Sequence, residues 1–192
     1  SEKPMKLLVI GGAGYIGAHV IKDLGRAGHH ITVFDNLSSG LRGNLFPEAV
    51  FVHGDILQYP FLLKTMQSGF DAVFHFAAFK AAGESMLFPE KYSINNITGT
   101  LNILNAMCET DTSIMVFSSS AAVYGNRTDA CKETDAPNPQ SPYAISKFES
   151  ENLCKQYATG HHINTAALRY FNVYGERQNP NGDYAAVVAK FT

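Results

Sequence analysis

An apolar run that breaks abruptly into glycines sets the strongest limit on how this chain folds. Leu7-Leu8-Val9-Ile10 stops at Gly11-Gly12-Ala13-Gly14-Tyr15-Ile16-Gly17, after which Ile16, Val20, Leu24 and Ala27 recur at helical spacing. The order is strand, tight turn, helix, with Gly28 placed to close the helix. Ile31-Thr32-Val33-Phe34 reads as a second buried strand ending at Asp35. Further strands are expected at Val50 to His53, Ala72 to Phe76, Ile114 to Phe117 and Thr165 to Tyr170, with helical patterns between most of them. Such alternation predicts an α/β fold, a doubly wound parallel sheet with helices on both faces, because right-handed crossovers leave few other arrangements.

The glycine spacing carries chemistry as well as shape. Gly11 permits the tight turn, Gly14 lets a pyrophosphate approach the backbone, Gly17 allows close packing, and the helix N-terminus favours an anion. About 20 residues further on, Asp35 ends a strand where the ribose hydroxyls of a Rossmann-type dinucleotide site would lie. A carboxylate there repels a 2′-phosphate, so NAD is expected rather than NADP. Alternatively, Asp35 caps a turn with Asn36.

A second constellation follows. In Tyr143-Ala144-Ile145-Ser146-Lys147 a helix places a phenol and an ammonium on one face, and a nearby lysine charge favours tyrosinate. By itself the pair fits an ordinary solvated helix; with the glycine turn and with Ser118-Ser119-Ser120 closing an apolar run, it reads as a proton-transfer unit. The Pro-rich stretch from Asn126 to Pro142 lies between the serines and the tyrosine and is expected to be a loop near the site. The apolar residues Ile94, Ile97, Leu101, Leu104 and Cys108 read as one helix face buried on the sheet.

Composition narrows the remaining classes. A chain of 192 residues, 45% hydrophobic and 17% charged, buries one sizeable core. Its net charge of -2, without a basic cluster, argues against a nucleic-acid partner. No apolar run approaches the roughly 20 residues that span a bilayer, and no signal pattern opens the chain, so no membrane partner and a cytoplasmic location are expected. Cys108, Cys131 and Cys154 suggest neither a disulfide framework nor zinc, and the pairs His29-His30 and His161-His162 lack clustered partners, so no metal is expected. His75, at a strand end, reads as a core histidine. Residues 1-5 are expected to be a disordered or adventitious end.

The GxxGxxG spacing with Ser120, Tyr143 and Lys147 resembles the extended branch of the short-chain dehydrogenase/reductase family. The resemblance implies that Gly54-Asp55-Ile56 contacts adenine through Asp55 and Ile56, that Phe76, Ala77 and Ala78 underlie the cofactor, and that Asn95 touches it. Tyr15, Ile16, Asn36, Ser118 and Tyr170 join the implied cofactor set, and Tyr143 and Lys147 belong to it as well as to the catalytic set. Within the branch, the segments from Phe79 to Ser85 and from Arg169 to Asn172 are similar to the UDP-glucose 4-epimerases. That likeness implies that Lys80 contacts substrate phosphates or cofactor and that Asn172 holds the nucleotide part of a UDP-sugar, with Ser120 and Tyr143 at the sugar. Alternatively, Lys80 is a solvated loop lysine and Asn172 holds a turn.

The implied reaction is NAD-dependent epimerisation at C4 of a nucleotide sugar, UDP-glucose/UDP-galactose foremost, through a transient 4-keto sugar. Tyr143 would act as base, Ser120 would hydrogen-bond the reacting oxygen, and Lys147 would hold the ribose and lower the tyrosine pKa. Related dehydratases carry an Asp-Glu pair, and decarboxylases a Glu, just after the serine; Ala121 and Ala122 stand there, which favours epimerisation. Val173 to Gln178 is similar to a wider epimerase group, so an N-acetylhexosamine or uronate remains an alternative substrate, followed by a dehydratase or decarboxylase and by a non-catalytic NAD-binding regulator. The family also implies a homodimer through the Ile94 and Tyr143 helices. Residues 6-172 are expected to form the NAD-binding domain, and 173-192 the beginning of a substrate region whose C-terminal lobe is largely absent from the chain.

Overall fold

The computed structural model describes residues 3–176 and 178. Within them the expected strands form as β1 (Lys6–Ile10), β2 (His30–Asp35), β3 (Val50–His53), β4 (Ala72–His75), β5 (Ile114–Ser120) and β6 (Asn164–Tyr170). All pair in parallel, in the order β3-β2-β1-β4-β5-β6. The direction of winding reverses between β1 and β4, and a crevice opens above their C-terminal ends. The helices are α1 (Tyr15–Arg26), α2 (Tyr59–Met66), α3 (Ala82–Leu87), α4 (Pro89–Tyr92), α5 (Gly99–Glu109) and α6 (Pro142–His161).

The two-residue period of the strands divides the core. Leu8 and Ile10 of β1 point into a large cluster with Leu62 and Met66 of α2, Ile103, Leu104 and Met107 of α5, and Cys154 of α6. Val9 points the other way, against Ile21 of α1 with Ile31 and Val33 of β2. Burying a residue such as Ile21 or Leu62 stabilises the fold by about 1.5–3 kcal/mol each, so the two clusters supply most of the drive to fold. Gly28 adopts φ 89° just beyond α1, as a closing glycine does. Ser141 caps α6 by accepting from the Ala144 N–H at 3.1 Å, and Pro142 occupies the first turn.

One expectation fails. Of the stripe Ile94, Ile97, Leu101, Leu104 and Cys108, only Leu104 is buried, and Ile94 is 53% exposed. The buried face is instead Tyr92, Asn96, Thr100, Ile103, Leu104 and Met107. A π-helical turn over Ser93–Thr98 precedes α5 and shifts the helical phase, and two of the buried positions are polar because they serve the site above.

Candidate active site

The glycine turn is built as the spacing requires. Gly11 has φ +79°, and a Cβ there would lie 2.4 Å from the Ala77 backbone nitrogen. A Cβ on Gly17 would lie 2.6 Å from the Gly11 carbonyl oxygen. Gly14 differs, since a Cβ would meet nothing nearer than the Gly11 oxygen at 3.4 Å, an ordinary contact. Its bare Cα faces the cleft and leaves space there for a ligand. The α1 N-terminus has no side-chain cap and no acidic residue in its first turn, so its N–H groups and dipole are available to an anion.

Asp35 is buried, and both of its oxygens are engaged. One accepts from the Ala13 N–H at 2.9 Å, which fixes the glycine turn, and the other from the Leu37 N–H at 2.8 Å. Each carboxylate oxygen accepts two bonds, so capacity remains for ribose hydroxyls; the turn-capping and ligand-binding readings are compatible. Asn36 accepts from the Ser38 N–H at 2.9 Å and donates to Asp55 at 3.0 Å. Asp55 also accepts from the Leu57 N–H at 2.8 Å and stands behind the cleft, supporting Asn36 rather than lining the cavity.

Ser120 ends β5, and its hydroxyl oxygen accepts from the Ala122 N–H at 3.1 Å. The same side chain hydrogen-bonds the Tyr143 phenol. Burial raises the Tyr143 pKa, and the Ser120 bond works against that rise. Lys147 is buried and donates to the Ser118 carbonyl at 2.7 Å. Burial, and after it the charge of Lys80, push the Lys147 ammonium down to about 7. Spacing by four puts Lys147 on the Tyr143 face of the helix, and its ammonium is anchored on the strand-end carbonyl of Ser118.

Beneath these groups lies a polar floor that pattern reasoning missed. The Asn96 side chain accepts from the Phe79 N–H and donates to the Phe79 carbonyl, each at 3.0 Å, and donates to Ser146 at 2.9 Å. It thus joins the loop carrying Lys80 to the helix carrying Tyr143 and Lys147. Thr100 donates to the Asn96 carbonyl at 2.6 Å, and His75 bonds Thr100 at 3.0 Å. Ser85 accepts from the Tyr143 N–H at 3.1 Å. The available signal was polar residues four apart, Asn96 with Thr100 and Ser146 with Ser150, at positions that otherwise read as core.

These parts surround one cleft of ≈ 770 Å³ at the switch point. Gly11, Gly14, Tyr15, Ile16, Gly17, Asp35 and Asn36 line one end. Ile56, Phe76, Ala77, Ala78, Lys80 and Asn95 line its middle, and Ser118, Ser120, Tyr143, Lys147, Tyr170 and Asn172 the other end. Every residue named from the sequence for cofactor, substrate or catalysis, except Asp55, borders the cleft. Ser38, Ser39 and Gly40 border it as well and were missed, since loop residues carry no periodic signal, and so does Phe171 of the segment from Arg169 to Asn172. Of the segment from Val173 to Gln178, Arg177 lies outside the described residues, as does the helix expected to begin near Phe191-Thr192.

The fold and this cleft define a doubly wound nucleotide-binding protein whose serine, tyrosine and lysine meet at the strand ends. The chain belongs to the NAD dependent epimerase/dehydratase family, whose match covers residues 7–192. It is 43% identical over 173 residues to a UDP-glucose 4-epimerase of Lacticaseibacillus casei, covering 89% of this chain and 52% of that protein. The structure of UDP-glucose 4-epimerase from Brucella ovis in complex with NAD superposes with a TM-score of 0.86 at 40% identity, over 93% of this chain and 55% of the other. A UDP-N-acetylglucosamine 4-epimerase from Methanobrevibacter ruminantium, in complex with UDP-N-acetylmuramic acid, gives 0.91 at 36% identity, over 99% and 62%. The chain spans about half the length of the curated relatives it matches.

Proposed function

We propose that the protein binds NAD and, with it, epimerises a UDP-sugar at C4, UDP-glucose and UDP-galactose being the first choice. The observation that carries this reading is the convergence of Ser120, Tyr143 and Lys147 on one end of a cleft whose other end is the glycine turn and Asp35. NAD fits these residues: the space over Gly14 is open, the α1 N-terminus is free of an acidic side chain, and Asp35 retains acceptor capacity. When bound, NAD supplies a hydride acceptor and donor at the sugar carbon. Tyr143 takes the proton of the 4-hydroxyl and returns it, and Ser120 orients the reacting oxygen. Lys147, anchored on the Ser118 carbonyl, holds the cofactor ribose. Asn95 and Tyr170 border the cofactor, and Lys80 and Asn172 the nucleotide diphosphate. Lys80 is the exposed cation on the cleft wall, and its charge suits phosphates.

Residues 6-172 form the cofactor-binding and catalytic unit in this reading, and 173-192 begin the substrate-binding region. Ala121 and Ala122 place no carboxyl group beside Ser120, which favours epimerisation over elimination. An N-acetylated sugar is the second reading, supported by the likeness to the Methanobrevibacter ruminantium enzyme. The partner is a second copy of the chain, met through the exposed apolar residues Met86, Leu87, Phe88, Ile94 and Ile145 on and beside α3 and α6. No helix among the described residues is long and apolar enough to cross a membrane; the cytoplasmic location is part of the proposal.

The test is turnover of a panel of UDP-sugars by the product of the complete coding sequence, beside Tyr143→Phe. The variant should bind NAD normally and lose about 10²–10⁴-fold in turnover. Near-native turnover by the variant, or none by the parent with any UDP-sugar, would overturn the reading.

A further inference from the structure

Behind the serine strand is a buried ion pair that the reaction outlined above does not use. Glu151 lies on α6 one turn past Lys147 and two turns past Tyr143, and it is 2% exposed. Its carboxylate accepts from the Ser119 hydroxyl at 2.5 Å and from Arg169 twice, Nε at 2.9 Å and Nη2 at 2.8 Å. Ser119 and Arg169 are paired in register across β5 and β6. The guanidinium also stacks 4.7 Å over the Tyr124 ring, and its Nη1 donates to the Glu133 carbonyl at 3.4 Å. One side chain therefore ties α6, the ends of two strands and the loop after them.

Ser119 stands between the two residues that meet the reacting groups. The Ser118 carbonyl accepts from Lys147, and the Ser120 side chain hydrogen-bonds Tyr143. We propose that Glu151, held by Arg169, is a positioning residue: through Ser119 it fixes the register of α6 against the end of β5, so that the Ser118–Lys147 and Ser120–Tyr143 contacts form together. A buried pair is weak evidence for added stability, since desolvation offsets much of the attraction. A fork that reaches two strands and a helix one turn from the catalytic lysine is, in contrast, suited to setting geometry. The inference rests on the function proposed above for what Tyr143 does, but not for where it sits.

Charge-conserving variants separate positioning from electrostatics. Arg169→Lys keeps the cation and loses the fork, Glu151→Asp keeps the anion and shortens its reach, and Ser119→Ala removes only the link to β5. The charged and titratable groups around this face are Tyr143, Lys147 and Lys155 of α6, Lys80, His75, Tyr124 and Cys154, and none changes in these variants. Two measurements are made on the product of the complete coding sequence. One is kcat and KM with the UDP-sugar it turns over. The other is the ultraviolet titration of the Tyr143 phenol, taken as the difference from a Tyr143→Phe partner in each background, which needs no substrate. The expected result is a kcat about ten- to a hundredfold lower in Arg169→Lys and Glu151→Asp, with KM within about twofold, and a Tyr143 titration displaced upward as the Ser120 bond is lost. Ser119→Ala, which spares the ion pair, should show the same displacement to a smaller degree. Folded variants in which kcat and the phenol titration both match the parent would overturn the proposal. If the parent turns over no UDP-sugar, the function proposed above fails, and the phenol titration alone decides whether Glu151 positions Tyr143.

Discussion

His75 makes the acid stability of this fold quantitatively predictable. The imidazole is 1% exposed at the end of β4, under the site floor. Thr100 spends its one hydroxyl proton on the Asn96 carbonyl, so His75 must donate its Nε2–H to Thr100, which leaves Nδ1 as a bare acceptor. Nδ1 has no hydrogen-bond partner among the described residues. Protonation would place an N–H where nothing accepts it, in a site that burial and then the Lys147 charge already make hostile to a cation. These causes lower its pKa from 6.5 to about 3. The folded protein thus stays neutral at His75 while the unfolded chain takes up a proton, and stability falls as pH drops through the window from 6.5 towards 3. At pH of about 4.5 the unfolded histidine is some two units below its pKa, which costs about 2.5 kcal/mol relative to neutral pH. His75→Gln has no such proton to take up. Urea unfolding of parent and variant at about pH 7 and about pH 4.5 isolates the effect, because all other titrations cancel in the difference. The parent should lose about 2.5 kcal/mol more than the variant over that interval. Equal losses would show that His75 is protonated in the folded state and that this account of the floor is wrong.

Two further predictions test the cofactor end of the cleft. Gly14→Ala should unfold within about 1 kcal/mol of the parent but bind NAD more weakly, whereas Gly11→Ala, with φ +79° and a Cβ 2.4 Å from Ala77, should cost about 2–5 kcal/mol in thermal or urea unfolding. Weakened unfolding in Gly14→Ala with NAD affinity unchanged would reverse the assignment. Asp35→Ala should lose the preference for NAD over NADP in calorimetric titration and also destabilise by about 1–3 kcal/mol, because the Ala13 and Leu37 N–H groups lose their acceptor. Loss of stability with the preference intact would leave Asp35 as a turn cap alone.

What the sequence made legible followed from local rules. The strands, the winding and the glycine turn announce themselves through apolar runs and backbone geometry, and Ser120, Tyr143 and Lys147 through spacing at element ends. What stayed hidden was set by tertiary partners. The stripe from Ile94 to Cys108 was misjudged because a π-helical turn shifts the phase and because Asn96 and Thr100, polar by type, are core by position. The anchoring of Lys147 is also set by a tertiary partner. Helical spacing brings two side chains to one face but does not say that a strand-end carbonyl will take the ammonium.

The features hidden from the sequence share a location, the layer directly under the cleft. A doubly wound sheet would normally fill that layer with aliphatic side chains, yet here it holds His75, Asn96, Thr100, Ser146, Ser150 and Glu151, all buried. Each such group lowers stability unless it is bonded, so a core chosen for stability alone would exclude them. Asn96 and Ser146 bond the backbone of Phe79 and Tyr143, Glu151 bonds Ser119 at the end of β5, and His75, Thr100 and Ser150 brace Asn96 and Ser146 in turn, so the layer holds the segments that carry the cleft's side chains. An apolar floor would pack as well but would leave those segments to slide, since dispersion contacts fix separation far better than register. Directional bonds fix register, and a proton-transfer site needs register held to a fraction of an ångström. If the proposed reaction is the one this cleft runs, the departure from hydrophobic patterning is its physical trace, found one layer below the residues assigned to it.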